Sequence, residues 1–197
     1  MISACEKGRQ WQRALRLLEL ICSDLLQPDV TTYNATISAC EKGGQWHVAM
    51  QLFRSLDKDR LRADVVTHNA VISAFEKGHQ WRFALDVLHA MSRSQDGQPK
   101  PNLITYNAAM SACEKGQQWR FALGLLDDVF CHQLQADVVT YSAAVSACEK
   151  GRQWRQALAL QEAAHRRKLA ADTITYNAAI SACEKASQWQ LALGLFA

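Results

Sequence analysis

The chain has 197 residues, of which 49% are apolar, and it carries a formal net charge of +3. This charge mildly favours a polyanionic partner but is far below that of a polybasic tail, so charge alone assigns no partner. The sequence has no run of 18 or more apolar residues, so we expect no membrane-spanning helix and no membrane partner.

The first predicted element is an incomplete copy of a repeated unit at 1–29. It contains the phrase S-A-C-E-K-G-x-Q-W-x-x-A-L, which returns with few changes at Ser3, Ser38, Ser73, Ser111, Ser146 and Ser181. The six tryptophans of these phrases are spaced 35, 35, 38, 35 and 35 residues apart. A fixed period of this length is the sequence signature of a helical repeat array. The chain begins and ends inside a copy, so we expect it to be a fragment whose targeting segment, if any, lies outside it.

Four complete copies follow the first partial copy, and a second partial copy comes last. We place the complete copies at 30–64, 65–102, 103–137 and 138–172, and the last partial copy at 173–197. One copy, 65–102, is three residues longer than the others. We assign this excess to the polar stretch at 92–101, which contains glycine and two prolines and is predicted to be a longer loop.

Each copy is predicted to form two short helices. In the first complete copy, Tyr33, Ile37 and Cys40 recur at spacings of three and four and predict a helix at 32–42. A second helix is predicted at 46–56, and its apolar stripe consists of Trp46, Ala49, Met50 and Phe53. Helices shorter than about 12–15 residues are marginal alone, so stacked neighbours must supply the core. The predicted fold is therefore all-α, an α-solenoid of about six stacked 35-residue helix-turn-helix repeats.

Glycine and tryptophan mark the junction between the two helices. Gly43 and Gly44 are predicted to break the chain there, because glycine accepts backbone conformations that other residues avoid. An alanine follows every tryptophan by three positions, which favours close helix approach. The tryptophan column could stack on nucleic-acid bases. We favour packing between helices, because the column has a fixed position beside this small residue.

Five of the seven cysteines share one position of the copy: Cys5, Cys40, Cys113, Cys148 and Cys183. Phe75 takes this position in the remaining copy, which indicates a packing role. Equivalent positions in stacked helices should lie roughly 10 Å apart, too far for a disulfide. Reduced thiols favour an intracellular or organellar setting. The histidines share no position, and no C-x-x-C, H-E-x-x-H or glycine-rich phosphate loop occurs. We therefore predict no metal site, no cofactor, no catalytic residue and no enzyme activity.

Three kinds of polar residue recur at fixed positions. The first is the residue after T-Y or T-H: Asn34, Asn69, Asn107, Ser142 and Asn177. The second is the residue that closes each copy: Asp29, Asp64, Asn102, Asp137 and Asp172. The third is the lysine of E-K-G and its variant E-K-A, which includes Lys42, Lys77, Lys115, Lys150 and Lys185. The closing residue could be an N-terminal helix cap, and the lysine could be a solvated helix end that complements the helix dipole.

The 35-residue period, the V-T-Y-N opening, the A-L-x-L-F pattern and the P-D closing resemble the pentatricopeptide repeat family over the whole chain. The tetratricopeptide repeat, which binds proteins, has a period of 34 and a different aromatic pattern. The resemblance implies a right-handed superhelix that binds single-stranded RNA at about one base per repeat. It also implies a monomer that acts in organellar RNA processing, stability or translation, in a mitochondrion or a chloroplast.

The resemblance implies roles for the recurring polar residues. The residue after T-Y and the closing residue together choose the base, so Asn34 with Asp64 resembles a uracil reader. By the same rule, Asn69 with Asn102 resembles a pyrimidine reader that prefers cytosine, Asn107 with Asp137 a uracil reader, and Ser142 with Asp172 a guanine reader. Asp29 and Asn177 belong to incomplete pairs. The implied RNA core is U-(C/U)-U-G.

The resemblance also implies contacts that carry no base identity. Aliphatic residues three positions before the reader would sandwich the bases: Val66, Ile104, Val139 and Ile174. Thr31 departs from this pattern and should hold its base less well. The five lysines Lys42, Lys77, Lys115, Lys150 and Lys185 would face phosphates and make binding salt-dependent. Four complete readers are few, so we expect this segment to bind weakly alone and to act within a longer array.

Two other interpretations stay open at this point. The array could be a protein-interaction scaffold whose concave groove holds a peptide or a partner helix. It could also be a truncated product without an independent function. The alternation of Asn and Asp readers with aligned lysines favours RNA over a protein partner.

Overall fold

The structure, a computed structural model, describes residues 2–23, 26–93, 99–167, 169, 173–188, 190 and 192. All regular secondary structure in these ranges is helical. The helices are α1 Ile2–Lys7, α2 Trp11–Ser23, α3 Val30–Lys42, α4 Trp46–Lys58, α5 Val65–Lys77, α6 Trp81–Ser92, α7 Leu103–Lys115, α8 Trp119–Cys131, α9 Val138–Lys150, α10 Trp154–Arg166 and α11 Thr173–Lys185. The predicted all-α repeat fold is confirmed. We call the odd-numbered helices the first helices and the even-numbered ones the second helices.

Each helix of copy 30–64 is about one half-turn longer, at one end, than the apolar pattern predicts. The first helix of copy 30–64 begins at Val30, two residues before the predicted start, because Asp29 caps it. The backbone of Asp29 is extended, and its carboxylate accepts the Thr32 N–H at 2.8 Å. The following second helix continues to Lys58. Polar residues at helix ends carry no periodic signal, so the apolar stripe underestimates helix length.

The turn between the two helices corrects the predicted role of glycine. Gly43 is right-handed, with φ −86°, and only Gly44 is left-handed, with φ +69°. In the other described copies the left-handed residue is not glycine but Arg9, His79, Gln117, Arg152 or Ser187, with φ between 54° and 57°. The glycine of E-K-G therefore recurs for a reason other than backbone freedom.

That reason is the tryptophan of the preceding copy. A Cβ atom added to Gly43 would lie 2.5 Å from Cδ1 of Trp11, and one added to Gly78 would lie 2.3 Å from Cδ1 of Trp46. The same relationship holds between Trp119 and Gly151, again at 2.3 Å. Real Cβ atoms do not approach so closely, so the indole ring occupies the space above the glycine. These tryptophans pack between copies, as the sequence favoured; Trp189 lies outside the described residues.

The chain divides into two compact units, 1–105 and 106–197. In the first unit, α3 packs against α1, α2, α4 and α5, and Ile37, Val71, Ile72 and Phe75 are among its fully buried side chains. In the second unit, α9 packs against α8, α10 and α11 around a core that includes Val145, Cys148, Ala157 and Ala179. The organisation of 1–197 as a single array stays a prediction. Within the described part of the chain, no helix is long and apolar enough to cross a membrane.

The shared cysteine position lies in these cores. Cys40, Cys113, Cys148 and Cys183 have no exposed surface, and neither does Phe75, which takes the same position. Cys5 is partly exposed, while Cys22 and Cys131, which fall outside this position, are exposed. All seven thiols are free. The longer loop predicted at 92–101 lies in part outside the described residues, because 94–98 are not described.

Candidate nucleic-acid interface

The residue that closes each copy caps the first helix of the next copy. Oδ1 of Asp64 accepts the Thr67 N–H at 2.7 Å, and Oδ1 of Asp137 accepts the Thr140 N–H at 2.8 Å. Asn102 caps α7 in the same way through the Thr105 N–H at 3.0 Å. The capping role considered from the sequence is therefore present at these positions and at Asp29. Asp172 lies outside the described residues.

The same closing residues meet the asparagine of their own copy. Nδ2 of Asn34 donates to both carboxylate oxygens of Asp64 at 3.2 Å, across 30 positions of sequence. Nδ2 of Asn107 donates to Oδ1 of Asp137 at 3.3 Å. In both copies the fold brings the two predicted base-reading side chains into direct contact. The carboxylate of Asp64 thus accepts from the helix cap and from the asparagine of its own copy.

The longer copy, 65–102, keeps this arrangement with an amide in place of the carboxylate. Asn69 and Asn102 are joined through the hydroxyl of Thr105, which lies 2.6 Å from Oδ1 of Asn69 and 2.9 Å from Oδ1 of Asn102. The two side chains of the longer copy therefore share a threonine hydroxyl, as the pairs of copies 30–64 and 103–137 do.

Hydrogen bonding keeps the closing carboxylates charged. Partial burial of Asp64 and Asp137 favours their neutral forms, but hydrogen bonds from the following threonine and the preceding asparagine outweigh it and lower the pKa of each carboxyl. Bonds from the Thr31 hydroxyl and the Thr32 hydroxyl and N–H lower the pKa of Asp29 to about 2. The candidate interface therefore presents fixed negative charge at neutral pH, flanked by amide donors.

The predicted base-sandwiching residues are exposed aliphatic side chains. Val66, Ile104, Val139 and Ile174 are each the second residue of a first helix, and each is between 57% and 63% exposed. The other large apolar side chains exposed in the described part of the chain are Leu20, Leu26, Phe83 and Phe121. Solvent exposure of an aliphatic residue at one repeated position indicates a contact surface rather than a core position.

One pocket of about 240 Å³ in the second unit shows how these residues are grouped. Val139 and Ile174, from consecutive copies, line it together with the predicted reader Ser142. Ser111 and Glu114 from the preceding first helix also line it. A reader therefore lies in a pocket that has an aliphatic side chain from its own copy and one from the next. Asn177, the reader of the last copy, is exposed on α11.

The lysines predicted to face phosphates are paired with glutamates. Lys42 lies 2.8 Å from Glu6, and Lys77 lies 2.7 Å from Glu41. In the second unit Lys150 lies 2.7 Å from Glu114, and Lys185 pairs with Glu149. Each glutamate comes from the E-K-G phrase of the preceding copy. These glutamate–lysine pairs neutralise much of the cationic row; Lys115 also has an interaction partner.

Two sets of residues at this surface were not singled out from the sequence. One is the glutamate of E-K-G. The other is the threonine at the third position of the first helices: Thr67, Thr105 and Thr140. Both recur at fixed positions of the copy, so the sequence carried the signal. The neighbouring lysine and asparagine are the residue types that suggest nucleic-acid contacts, whereas glutamate and threonine do not. Among the described residues, no cluster of three or more His, Cys, Asp or Glu side chains could hold a metal ion.

The chain is similar to known proteins in sequence and in fold. Models of the PPR repeat family match residues 28–77, 66–95 and 104–132, and the model of the pentatricopeptide repeat domain matches 124–186. No curated protein sequence matches the chain.

Solved structures share the fold. The crystal structure of the pentatricopeptide repeat protein PPR10 from maize has a TM-score of 0.84 at 20% identity, and it covers 100% of this chain and 28% of that one. PPR10 in complex with an 18-nucleotide psaJ RNA element has a TM-score of 0.82, also at 20% identity, over 99% of this chain and 28% of that one. The PPR domain of Arabidopsis thaliana protein-only RNase P 1, in complex with tRNA, has a TM-score of 0.76 at 13% identity over 96% of this chain and 95% of that one. The chain thus spans about 28% of the length of PPR10.

Paired helices in 35-residue copies, with one recurring polar group per copy, define a helical repeat protein of the α-solenoid class. The family models together match most of this sequence. The chain belongs to the pentatricopeptide repeat family.

Proposed function

We propose that the chain binds single-stranded RNA selectively, at about one base per complete copy. The observation that carries this proposal is a contact between the two predicted readers of one copy. It occurs in two copies, between Asn34 and Asp64 and between Asn107 and Asp137. Two solved structures with this fold are RNA complexes, of PPR10 with an 18-nucleotide element and of a protein-only RNase P domain with tRNA. A binding role without catalysis, as a monomer, is part of the proposal.

Base selection would come from the donor and acceptor pattern of each pair. The asparagine amide offers N–H donors, which suit the carbonyl oxygens of pyrimidines, while the hydroxyl of Ser142 both donates and accepts. The carboxylate or amide of the closing residue supplies the remaining donors and acceptors of each pattern. The core read by the complete copies is U-(C/U)-U-G, with Asp172 as the proposed partner of Ser142. A mismatch at one reader should cost about 1–3 kcal/mol.

Affinity would come from stacking and from phosphates. The exposed aliphatic residues Val66, Ile104, Val139 and Ile174 would hold each base between consecutive copies, as the pocket around Ser142 suggests. The lysines would reach phosphates only by leaving their glutamate partners, so this contact would add modest, salt-dependent affinity. The RNA would be an organellar transcript, in processing, stability or translation.

The test is a change of specificity at one copy. Asn107→Ser gives copy 103–137 the reader combination of copy 138–172, a serine with an aspartate. Binding to labelled RNAs that carry U-C-U-G or U-C-G-G in a neutral context would be measured by fluorescence anisotropy. We expect the wild type to prefer uracil at the third position and the variant to prefer guanine there, with each preference about tenfold.

The controls separate the alternatives. The same RNAs changed at the first position should show no difference between wild type and Asn107→Ser, because Asn34 is unaltered. The matching DNA and a scrambled RNA should bind more weakly to both proteins. Equal or absent binding to every nucleic acid, by chains shown to be folded by circular dichroism, would reject the proposal and favour the protein-scaffold interpretation.

A further inference from the structure

A buried threonine hydroxyl contacts each described pair of readers. Thr67, Thr105 and Thr140 are the third residues of α5, α7 and α9, and none has exposed surface. Each threonine belongs to the copy that follows the pair of readers it contacts. A fully buried hydroxyl needs hydrogen-bond partners, so its partners show what it can do.

The partners are the same in three copies. Oγ1 of Thr67 lies 2.5 Å from Oδ1 of Asn34, Oγ1 of Thr105 lies 2.6 Å from Oδ1 of Asn69, and Oγ1 of Thr140 lies 2.8 Å from Oδ1 of Asn107. The hydroxyls also lie 2.8, 2.9 and 2.7 Å from Oδ1 of the closing residues Asp64, Asn102 and Asp137. In all three copies the backbone N–H of the closing residue donates to the hydroxyl at 3.2 Å.

These contacts fix which side of the asparagine amide faces the base. The threonine oxygen accepts the N–H of the closing residue, so its single proton is directed at the two side-chain oxygens. In copies 30–64 and 103–137 the amide nitrogen in turn faces the closing carboxylate, at 3.2 and 3.3 Å. A flipped amide would place its oxygen against that carboxylate and lose the hydroxyl's proton as a partner. The asparagine amide is therefore held with its oxygen toward the threonine hydroxyl and its nitrogen beside the closing carboxylate, which leaves the second N–H of that nitrogen as the donor for a base.

We propose that Thr67, Thr105 and Thr140 are positioning residues for base selection, each acting on the reader of the copy before its own. This inference rests on the proposed RNA-binding function. An amide held as a donor favours a carbonyl oxygen on the base, a group that uracil and cytosine have and adenine lacks. Each reader is then a unit of three side chains from two copies. Thr175 is buried at the equivalent position of α11, after the copy read by Ser142.

Thr36 provides a matched control. It has no exposed surface either, but its hydroxyl donates to the Thr32 carbonyl one turn earlier in α3, at 2.8 Å, and contacts no reader. Thr36→Val and Thr140→Val both remove one buried hydroxyl at nearly constant shape. Only the second removes a hydroxyl that contacts an asparagine reader. Thr140→Ser keeps the hydroxyl and should rescue its function.

The experiment measures affinity for four RNAs that differ only in the base opposite copy 103–137. We expect Thr140→Val to reduce the preference for uracil over adenine there by about fivefold, the factor that one net hydrogen bond represents. Preference at the neighbouring positions should stay unchanged. Thr140→Ser and Thr36→Val should keep the wild-type preference. Thr67→Val provides a second test opposite copy 30–64, should Thr140→Val fail to fold.

The outcomes distinguish the inference from the function on which it rests. A wild-type chain without base preference would overturn both. A selective wild-type chain whose Thr140→Val variant keeps the same preference, or loses affinity equally for all four bases, would overturn the positioning role and leave RNA binding intact. A loss of preference confined to the one position would support it.

Discussion

The indole of Trp46 fills the space above Gly78, one copy further along the chain. A methyl group on Gly78 would lie 2.3 Å from Cδ1 and 2.6 Å from Cγ of that indole. Trp119 and Gly151 repeat the relationship in the second unit. The E-K-G-x-Q-W phrase is thus a packing motif between consecutive copies: in these pairs the tryptophan of one copy occupies the space that a side chain on the glycine of the next copy would need.

Gly78→Ala should therefore destabilise the chain. Overpacking of a close contact costs about 1–3 kcal/mol, and here the added methyl meets a ring that is itself packed. The free energy of unfolding would be measured by urea titration. Gly124→Ala is the matched control, because a Cβ there meets nothing within 4 Å. In the middle of α8 this second change should stabilise the chain by about 0.5–1 kcal/mol. Equal effects of the two substitutions would contradict the packing role.

The glutamate–lysine pairs predict that a charge removal strengthens RNA binding. Glu114→Gln leaves Lys150 without its partner at 2.7 Å, so the ammonium group becomes available to a phosphate. We expect higher affinity for RNA of any sequence and a slope of log affinity against log salt that is steeper by about 0.7. The stability change should stay below about 1 kcal/mol, since the pair is partly exposed. Salt titrations of RNA binding measure the slope.

Glu162→Gln is the control for that prediction. Glu162 forms an exposed pair with Arg166 at 2.7 Å on α10, a second helix that carries no reader. Removing this charge changes the net charge of the chain by the same amount as Glu114→Gln. If both variants gain the same salt dependence, the effect is one of overall charge, and Lys150 has no special role.

The thiols should separate into two classes of reactivity. Burial raises the pKa of Cys40 and Cys148 to about 11 and that of Cys113 to about 12. At pH 8 no more than about one of these thiols in a thousand is ionised, and the thiolate is the reactive form. We expect iodoacetamide to modify the exposed Cys22 and Cys131 first. Cys40, Cys113 and Cys148 should react only when urea unfolds the chain. Mass spectrometry of peptides identifies the sites, and early modification of Cys113 in the folded chain would refute the assignment.

Acid should weaken the chain through its capping carboxylates. The pKa of Asp137 is lower in the folded state than in the unfolded state, so its stabilising contribution is present above about pH 4, the unfolded value, and is lost as the pH falls through the folded value. Asp64 follows the same direction, and hydrogen bonds from Thr31 and Thr32 lower the pKa of Asp29 to about 2.

Asp137→Asn isolates this effect, because Asn102 shows that an amide caps the same position. We expect the variant and the wild type to differ little in stability at pH 6. As the pH falls below about 4, the wild type should lose stability relative to the variant, which has no carboxyl to protonate at this position. Urea titrations at several pH values provide the comparison, and parallel curves would argue against a depressed pKa at this carboxyl.

Much of the fold was accessible from the sequence because its repeated phrases occur five or six times in the chain. The helix pair follows from apolar spacing, and the packing role of Cys40 follows from Phe75 at the equivalent position. The helix starts were placed two residues late at Val30, because the cap at Asp29 is polar and lies outside the apolar stripe. Glycine predicts the left-handed residue of the turn only at Gly44. In other copies Arg9 and His79 adopt that conformation without being glycine.

The sequence by itself determined the period, the helical class and the recurring positions of the readers, because helix periodicity and repetition are local properties of the chain. It could not decide which residues of different copies meet. The contacts of Thr67 with Asn34, of Lys77 with Glu41 and of Trp46 with Gly78 join residues 32 to 36 positions apart. These contacts depend on the rotation and translation between stacked helices, which are set by side-chain packing across the whole interface. Only the tertiary structure shows, for that reason, that a threonine of the following copy contacts Asn34, Asn69 and Asn107.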